Sequence, residues 1–155
     1  GRTRACRFNG QAEYDTIAAV KQAIRIPVIA NGDITDIETA LAVMAHTGAD
    51  GIMVGRGAQG SPWLFRQISA ALQGTTASEP DFAEKQRCMT GHICALHEFY
   101  GEDQGLRIAR KHAGWYLEKM GMEQHRKRFN QLETASAQLS FLRQLHPHEP
   151  EGIAA

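Results

Sequence analysis

An α/β segment followed by an all-α segment is the fold class this sequence predicts. Two short apolar runs rich in β-branched residues, Ile26-Pro27-Val28-Ile29-Ala30 and Gly51-Ile52-Met53-Val54, carry the first half of that reading, with Val28 and Ile52 24 residues apart. Each is followed by a glycine turn and then by helical spacing, which means βα units and a parallel sheet. Beyond Pro80 the apolar residues recur at helical spacing and no strand signal appears, so a small helical bundle follows.

In chain order, Tyr14, Ile17, Val20 and Ile24 recur as one face of a helix. Residues 26–30 form a buried strand bounded by Pro27 and by Asn31-Gly32. Thr35 with Glu38 three residues later has the form of a capping box. Ile37, Ala40, Leu41, Met44 and Ala45 make the stripe of the helix behind it, and Gly48 ends that helix. Gly51 to Val54 is a second buried strand stopped by Gly55, and Ser61-Pro62 opens a third helix with Ser as its cap. The boundaries follow: 1–73 for the α/β part, 74–81 for a polar linker, 82–146 for helices near 82–100, 105–120 and 125–145, and 147–155 for a tail. Asp81 caps the first of these helices, with Glu84 at the capping-box position, and Gly101 and Gly121 separate them.

The 155 residues carry 17 basic and 17 acidic side chains, which excludes a strongly basic arm or an acidic tail as the main business of the chain. The balance is uneven along the sequence: residues 1–74 carry +1, 75–81 carry −2, 82–146 carry +3 and 147–155 carry −2. A hydrophobic share of 43% against 22% charged is ordinary globular usage, and no apolar run approaches the roughly 18 residues of a membrane span. Three cysteines cannot all pair with one another, and nothing implies an oxidising compartment, so a cytoplasmic, reduced protein is expected. A start at Gly1 without Met predicts a processed chain or a fragment.

Chemistry is expected at the two glycine turns. Asn31-Gly32-Asp33 and Gly55-Arg56-Gly57 each follow a strand and precede a helix. Glycine lets backbone N–H groups approach an anion, a helix N-terminus favours negative charge, and Arg56 adds a planar cationic donor. Two consecutive units of this kind fit the phosphate site of a (β/α)₈ barrel, built by the loops after its last two strands. The alternative is a pair of plain βα turns in which glycine relieves strain. In the second half, Arg107, Arg110 and Lys111 lie on one side of a helix with Gly114 between them, and Arg126-Lys127-Arg128 follows Gly121. A cationic face with a central glycine suits a polyanion backbone; a solvated helix face is the alternative, and Glu118 favours it. Trp115 and Tyr116 belong to the apolar arc of the same helix. Cys88, His92, Cys94 and His97 lack metal-ligand spacing and do not share a helical face, so no metal is expected. Cys6 has no partner at readable spacing.

Several runs in order carry a resemblance over residues 1–145: Gly1-Arg2-Thr3-Arg4-Ala5-Cys6, Pro27 through Ile34, Thr47 through Ala58, Pro62-Trp63-Leu64-Phe65, and Arg110-Lys111-His112-Ala113-Gly114-Trp115-Tyr116. Together they resemble the bacterial tRNA-dihydrouridine synthases of the B type. The resemblance implies a (β/α)₈ TIM barrel holding FMN, a carboxyl-terminal helical domain that grips tRNA, and reduction of a uridine C5–C6 bond with NADPH as the reductant of the flavin. It matches Asn31, Gly32, Asp33, Gly55 and Arg56 to the turns around the FMN phosphate, and Arg110-Lys111-His112 to the helical-domain motif. Gly1-Arg2-Thr3 matches the end of a motif whose preceding His assists at the flavin. The family's proton-donating Cys and its flavin-contacting Lys and Gln have no counterpart here and are expected upstream of Gly1; Cys6 is not that Cys. The chain therefore reads as the last part of the barrel plus the helical domain, inactive by itself, with strand edges and apolar surface left uncovered. A non-catalytic tRNA-binding remnant, or part of another FMN-dependent barrel oxidoreductase, are the other readings.

Overall fold

The computed structural model describes residues 12–147. The chain divides into two compact units, Gly1–Glu79 and Pro80–Ala155.

The first unit contains α1 (Asp15–Ala23), β1 (Ile29–Asn31), α2 (Ile37–Thr47), β2 (Gly51–Met53), a 3₁₀ turn at Arg56–Ala58 and α3 (Leu64–Leu72). The strands pair in parallel, with Ile29 opposite Gly51, Ala30 opposite Ile52 and Asn31 opposite Met53. They are shorter than the runs that predict them, and their register aligns residues 22 apart rather than 24. Asp50 sets that register. Its backbone N–H donates to the Val28 carbonyl (2.9 Å), its carboxylate accepts from Val28 N–H (2.7 Å), and the same carboxylate takes Lys21 Nζ from α1 at 2.7 Å. Those bonds hold the Asp50 carboxyl below the usual carboxylate range, with Lys21 as the largest cause.

The core comprises Ala30, Ile34, Ala40, Val43, Ala49, Leu64 and Ile68, with Tyr14, Ile17, Val28, Ile37, Ile52 and Val54 packed around it. On α2 the buried face is Ala40, Val43 and Thr47, one rotational step from the expected stripe, and Leu41 sits on an exposed flank. The cap of α2 also differs from the Thr35/Glu38 expectation. Asp36 is the N-cap: its carboxylate accepts from Thr39 N–H (2.8 Å), and Thr39 Oγ1 accepts from Asp36 N–H (3.2 Å), a box shifted by one residue. Thr39 thereby lowers the Asp36 carboxyl pKa. Gly48 ends α2 at φ 60°, as the sequence predicts. Ser61 does not cap α3; its hydroxyl donates to the Gly57 carbonyl, and the helix starts at Leu64 after a turn through Pro62 and Trp63. Past Gly74, the polar residues of the expected linker lie along α3, where Arg66 donates to Ser78 O (3.4 Å) and Gln67 to Glu79 (2.7 Å).

One face of the strand pair is open. Ile29 is 57% exposed and Met53 53%, although parallel strands ordinarily have both faces covered. This is the uncovered apolar surface that the sequence leads one to expect.

The second unit contains α4 (Phe82–Tyr100), α5 (Glu102–Lys119), a 3₁₀ turn at Glu123–His125, α6 (Arg126–Asn130) and α7 (Ala135–Arg143). The single helix expected over 125–145 is thus broken. Thr134 caps α7 by accepting from Ala137 N–H (3.1 Å), and Glu102 at the start of α5 accepts from Ala135 N–H (3.2 Å), so the chain stops and restarts at residues 131–134. Asp81 caps α4 through Glu84 N–H (2.7 Å). Gly101 at φ 74° closes the α4–α5 hairpin, and Gly121 at φ 67° ends α5. Gln86 on α4 donates from Nε2 to the carbonyls of Leu142 (2.8 Å) and Leu145 (2.9 Å), satisfying orphan acceptors at the end of α7. Met89, Ile93, Ala109, Ala113, Leu117, Phe129 and Leu142 are fully buried among these helices. No described helix is long and apolar enough to cross a membrane.

The α4–α5 hairpin depends on a close approach at Gly105, where a Cβ would lie 3.0 Å from both the Cα and Nδ1 of buried His97 and 3.2 Å from Leu96 O. Overpacking of this kind costs about 1–3 kcal/mol. Gly105→Ala should destabilise the second unit by that amount and so lower its urea midpoint, read by helix circular dichroism; an unchanged midpoint would show that the hairpin relaxes freely.

Candidate functional site

The parallel register brings the ends of β1 and β2 level, so the two glycine turns leave the sheet side by side. They touch through Gly57. A Cβ there would overlap the Ile34 carbonyl oxygen and lie 2.9 Å from Thr35 Cα, so only glycine lets the second turn seat on the first. Arg56 Nη2 stands 3.9 Å from Asp33 Oδ1, joining the turns by charge as well. Asn31, Gly32, Asp33, Gly55 and Arg56 are therefore assembled at one end of the strand pair. Asn31, Gly55 and Arg56 are exposed; Gly32 and Asp33 are half-buried.

The backbone of the first turn is unusual. Gly32 has φ 141° and Asp33 φ 48°, a left-handed conformation that Asp tolerates better than most residues. Tyr14 Oη donates to the Gly32 carbonyl (2.7 Å), and the Asp33 carboxylate accepts from Ala12 N–H (2.8 Å). A Cβ on Gly32 would come within 2.6 Å of Ala12 Cβ, which fixes glycine at that position. An ionised carboxylate only accepts, so any anion contact by Asp33 runs through its backbone while its side chain anchors residue 12 and faces Arg56. At the N-terminus of α2 the Asp36 carboxylate occupies the Thr39 N–H. At Gly55 nothing lies within 4 Å of a hypothetical Cβ, so a ligand can approach the backbone there. Tyr14 is the contributor that sequence reasoning passed over, since it stands among the apolar positions of α1. The sequence places Gly57 in an anion-facing turn, and the structure gives it a packing role against Ile34 and Thr35.

The basic residues of the second unit separate into different environments. Arg107 and Lys111 are exposed one turn apart on α5, and Lys111 Nζ lies 5.0 Å from the centroid of the Trp115 ring. Arg110 is half-buried and donates from Nη2 to the Leu132 carbonyl (3.4 Å), which secures the loop between α6 and α7. Arg126 lies across Gly114, where a Cβ would meet its Nε at 3.1 Å and Cζ at 3.3 Å. Gly114 is buried, so it serves the packing of Arg126 and is not the open approach for a polyanion that the sequence suggests. Lys127 is exposed, and the Arg128 guanidinium lies 5.5 Å from the Phe141 ring centroid.

Trp115 is half-buried rather than core, and it begins an edge-to-face series that crosses from α5 to α4: Trp115 with His112 (4.9 Å between centroids), His112 with His92 (5.0 Å) and His92 with Tyr116 (5.8 Å). Cys94, by contrast, donates to Glu98 on its own helix (3.4 Å), and that contact raises its thiol pKa. Among the described residues no group of three or more His, Cys, Asp or Glu side chains is placed to hold a metal ion. Gly1 to Cys6 lie outside the described residues.

A family model described as dihydrouridine synthase matches residues 1–149. Its span covers nearly the whole chain, and the chain belongs to that family. Curated relatives named tRNA-dihydrouridine synthase B match at 55% identity in Yersinia pestis, 54% in Escherichia coli K12 and 50% in Shewanella oneidensis, each over 92% of this chain. The chain spans 44–45% of the length of these relatives.

The joint between the turns is testable without a ligand. Gly57→Ala should cost the first unit roughly 1–3 kcal/mol, as overpacking does, whereas Gly55→Ala, with open space at its Cβ, should cost well under half as much. Thermal melts of the two variants compare them directly, and equal losses would refute the contact as the reason for Gly57.

Proposed function

We propose that this chain is the carboxyl-terminal part of a flavin-dependent enzyme that reduces uridine in tRNA to 5,6-dihydrouridine, with NADPH reducing an FMN cofactor. The seating of one glycine turn on the other at Gly57 carries the reading. It gathers Asn31, Gly32, Asp33, Gly55 and Arg56 into one anion-accepting corner, and it does so in a chain of the dihydrouridine synthase family. The open face around Ile29 and Met53 supports a (β/α)₈ barrel in the whole protein, since further parallel strands would cover those side chains. Relatives more than twice as long as this chain leave room for those strands and for a catalytic Cys upstream of Gly1. A tRNA substrate supports a cytoplasmic location.

The residues present fit the phosphate of such a cofactor. Arg56 supplies the cationic donor, the Gly32 and Gly55 turns supply backbone N–H groups, and Asp33 holds Arg56 from the other side. Bound there and reduced by NADPH, FMN would supply hydride chemistry toward uracil C6. The chain's own task at that corner is position and charge. In the helical unit, Arg107, Lys111, Arg126, Lys127 and Arg128 are the cations exposed to tRNA phosphates, with Arg110 holding the loop behind them.

A second reading, a tRNA-binding chain without reductase activity, is favoured by the exposed Arg107–Lys111 flank, which needs no barrel to act. Family membership disfavours a third, an FMN barrel oxidoreductase acting on another substrate.

Two measurements test these assignments. In the full-length protein, Arg56→Ala should weaken FMN retention roughly tenfold or more, the worth of one charge-assisted hydrogen bond; unchanged flavin content after gel filtration overturns the phosphate assignment. For the 155-residue chain, tRNA affinity should fall linearly with the logarithm of salt concentration, and Lys111→Ala should reduce the slope by about one. Affinity that ignores salt removes the helical unit from the tRNA interface.

A further inference from the structure

The edge-to-face series in the helical unit has a direction. It begins at solvent with Lys111, passes Trp115 and the half-buried His112, and ends at His92, whose Nδ1 lies 3.2 Å from the phenol of buried Tyr116. Cys88 Sγ lies 3.8 Å from the same phenol. The two imidazoles belong to different helices and stand at 75° to each other.

Their neighbours determine which one can charge. Burial and Cys88 raise the Tyr116 phenol, so it stays protonated and can donate to His92 Nδ1. With the phenol as donor, Nδ1 is the unprotonated nitrogen, and burial lowers the His92 pKa, which favours the neutral imidazole. His112 is lowered first by burial, then by His92 and by Lys111. Among the described residues, the titratable and charged groups that meet the pair are Cys88 beside His92 on α4 and Lys111 and Tyr116 on α5. A phosphate beside Lys111 would offset a full positive charge that opposes protonation of His112.

We infer that an RNA phosphate docking at Lys111 draws a proton onto His112, so that the chain takes up a proton when it binds tRNA through this flank. The inference rests on the tRNA reading above and assigns that surface a regulation by pH. The proton passes from solvent or buffer to an imidazole nitrogen of His112, and no bond to the RNA is made or broken. The sign follows from linkage: the bound state holds more protons than the free state, so binding strengthens as pH falls through the range of His112.

Calorimetry of the 155-residue chain with an unmodified tRNA transcript, run at pH 6.5 in buffers of different ionisation enthalpy, counts the protons. Uptake of roughly half a proton or more is expected, with affinity roughly three- to tenfold higher at pH 6 than at pH 8. His112→Gln should remove most of the uptake, while His125→Gln should leave it in place. Because His112→Gln could disturb the packing, NMR titration of the wild-type imidazoles gives a second readout: the His112 pKa should rise on adding tRNA. Binding with no uptake, or an His112 pKa that RNA leaves unmoved, overturns the inference and leaves the tRNA reading intact. Uptake that persists in His112→Gln overturns it equally. Failure to bind tRNA at any pH overturns both.

Discussion

The register of a two-stranded sheet governs the first unit, and Asp50 governs the register. A pair of three-residue strands has few ladder hydrogen bonds, and a one-residue slip would exchange its buried and open faces. Asp50 prevents the slip from just outside the strands. Its N–H and carboxylate engage both backbone polar groups of Val28, and the carboxylate also takes Lys21 from α1. One side chain thus ties helix, loop and strand together. The consequence is felt at the other end of the strands, where Asn31 and Met53 finish level and the two glycine turns emerge in contact. The candidate phosphate corner is a product of that alignment more than of either turn alone.

The same alignment explains why the sheet has two unlike faces. Ala30, between Ile29 and Asn31, is fully buried against the helices, while Ile29 and Met53 point away from them and stay exposed. Burying such side chains is worth roughly 1.5–3 kcal/mol each, so their exposure is a cost that a larger sheet would recover. That cost falls in a chain with less than half the length of its curated relatives. On the barrel reading, the open face is interior surface, and the phosphate corner sits where the strands end, the usual place for function in that architecture.

The sequence made some features legible and hid others, for physical reasons. Gly48, Gly101 and Gly121 read correctly as helix ends because a helix end is a local event, and all three adopt the positive φ that glycine favours. Gly57 and Gly105 have negative φ or none that marks them, and their reason is a neighbour across space, which periodicity does not reveal. The cap of α2 went to Asp36 rather than Thr35 because two overlapping box patterns lie one residue apart and only the one formed by Asp36 and Thr39 closes reciprocally. The break within 125–145 was marked by Thr134, a good cap, but the long helical pattern on either side outweighed it. At the candidate corner all five residues could be read from glycine and charge beside strands. Tyr14 could not, because a helix face accounts for a tyrosine without its hydroxyl.

Charge in the helical unit illustrates how little a count of basic residues says about a nucleic-acid surface. Of the six cations that the sequence groups together, Arg110 is occupied with a loop carbonyl, Arg126 lies over Gly114 and Arg128 covers an aromatic ring. Each gives up some freedom to hold the fold, and a side chain already held in place loses less entropy when a phosphate arrives. Lys111 likewise lies over an aromatic ring, Trp115, and from there the ring contacts run inward to His112 and His92. A charge at the surface and a titratable pair behind it form one electrostatic unit. Neutralising the first changes the cost of charging the second, whatever anion does it, and only an anion that stays long enough to be bound will shift the proton count.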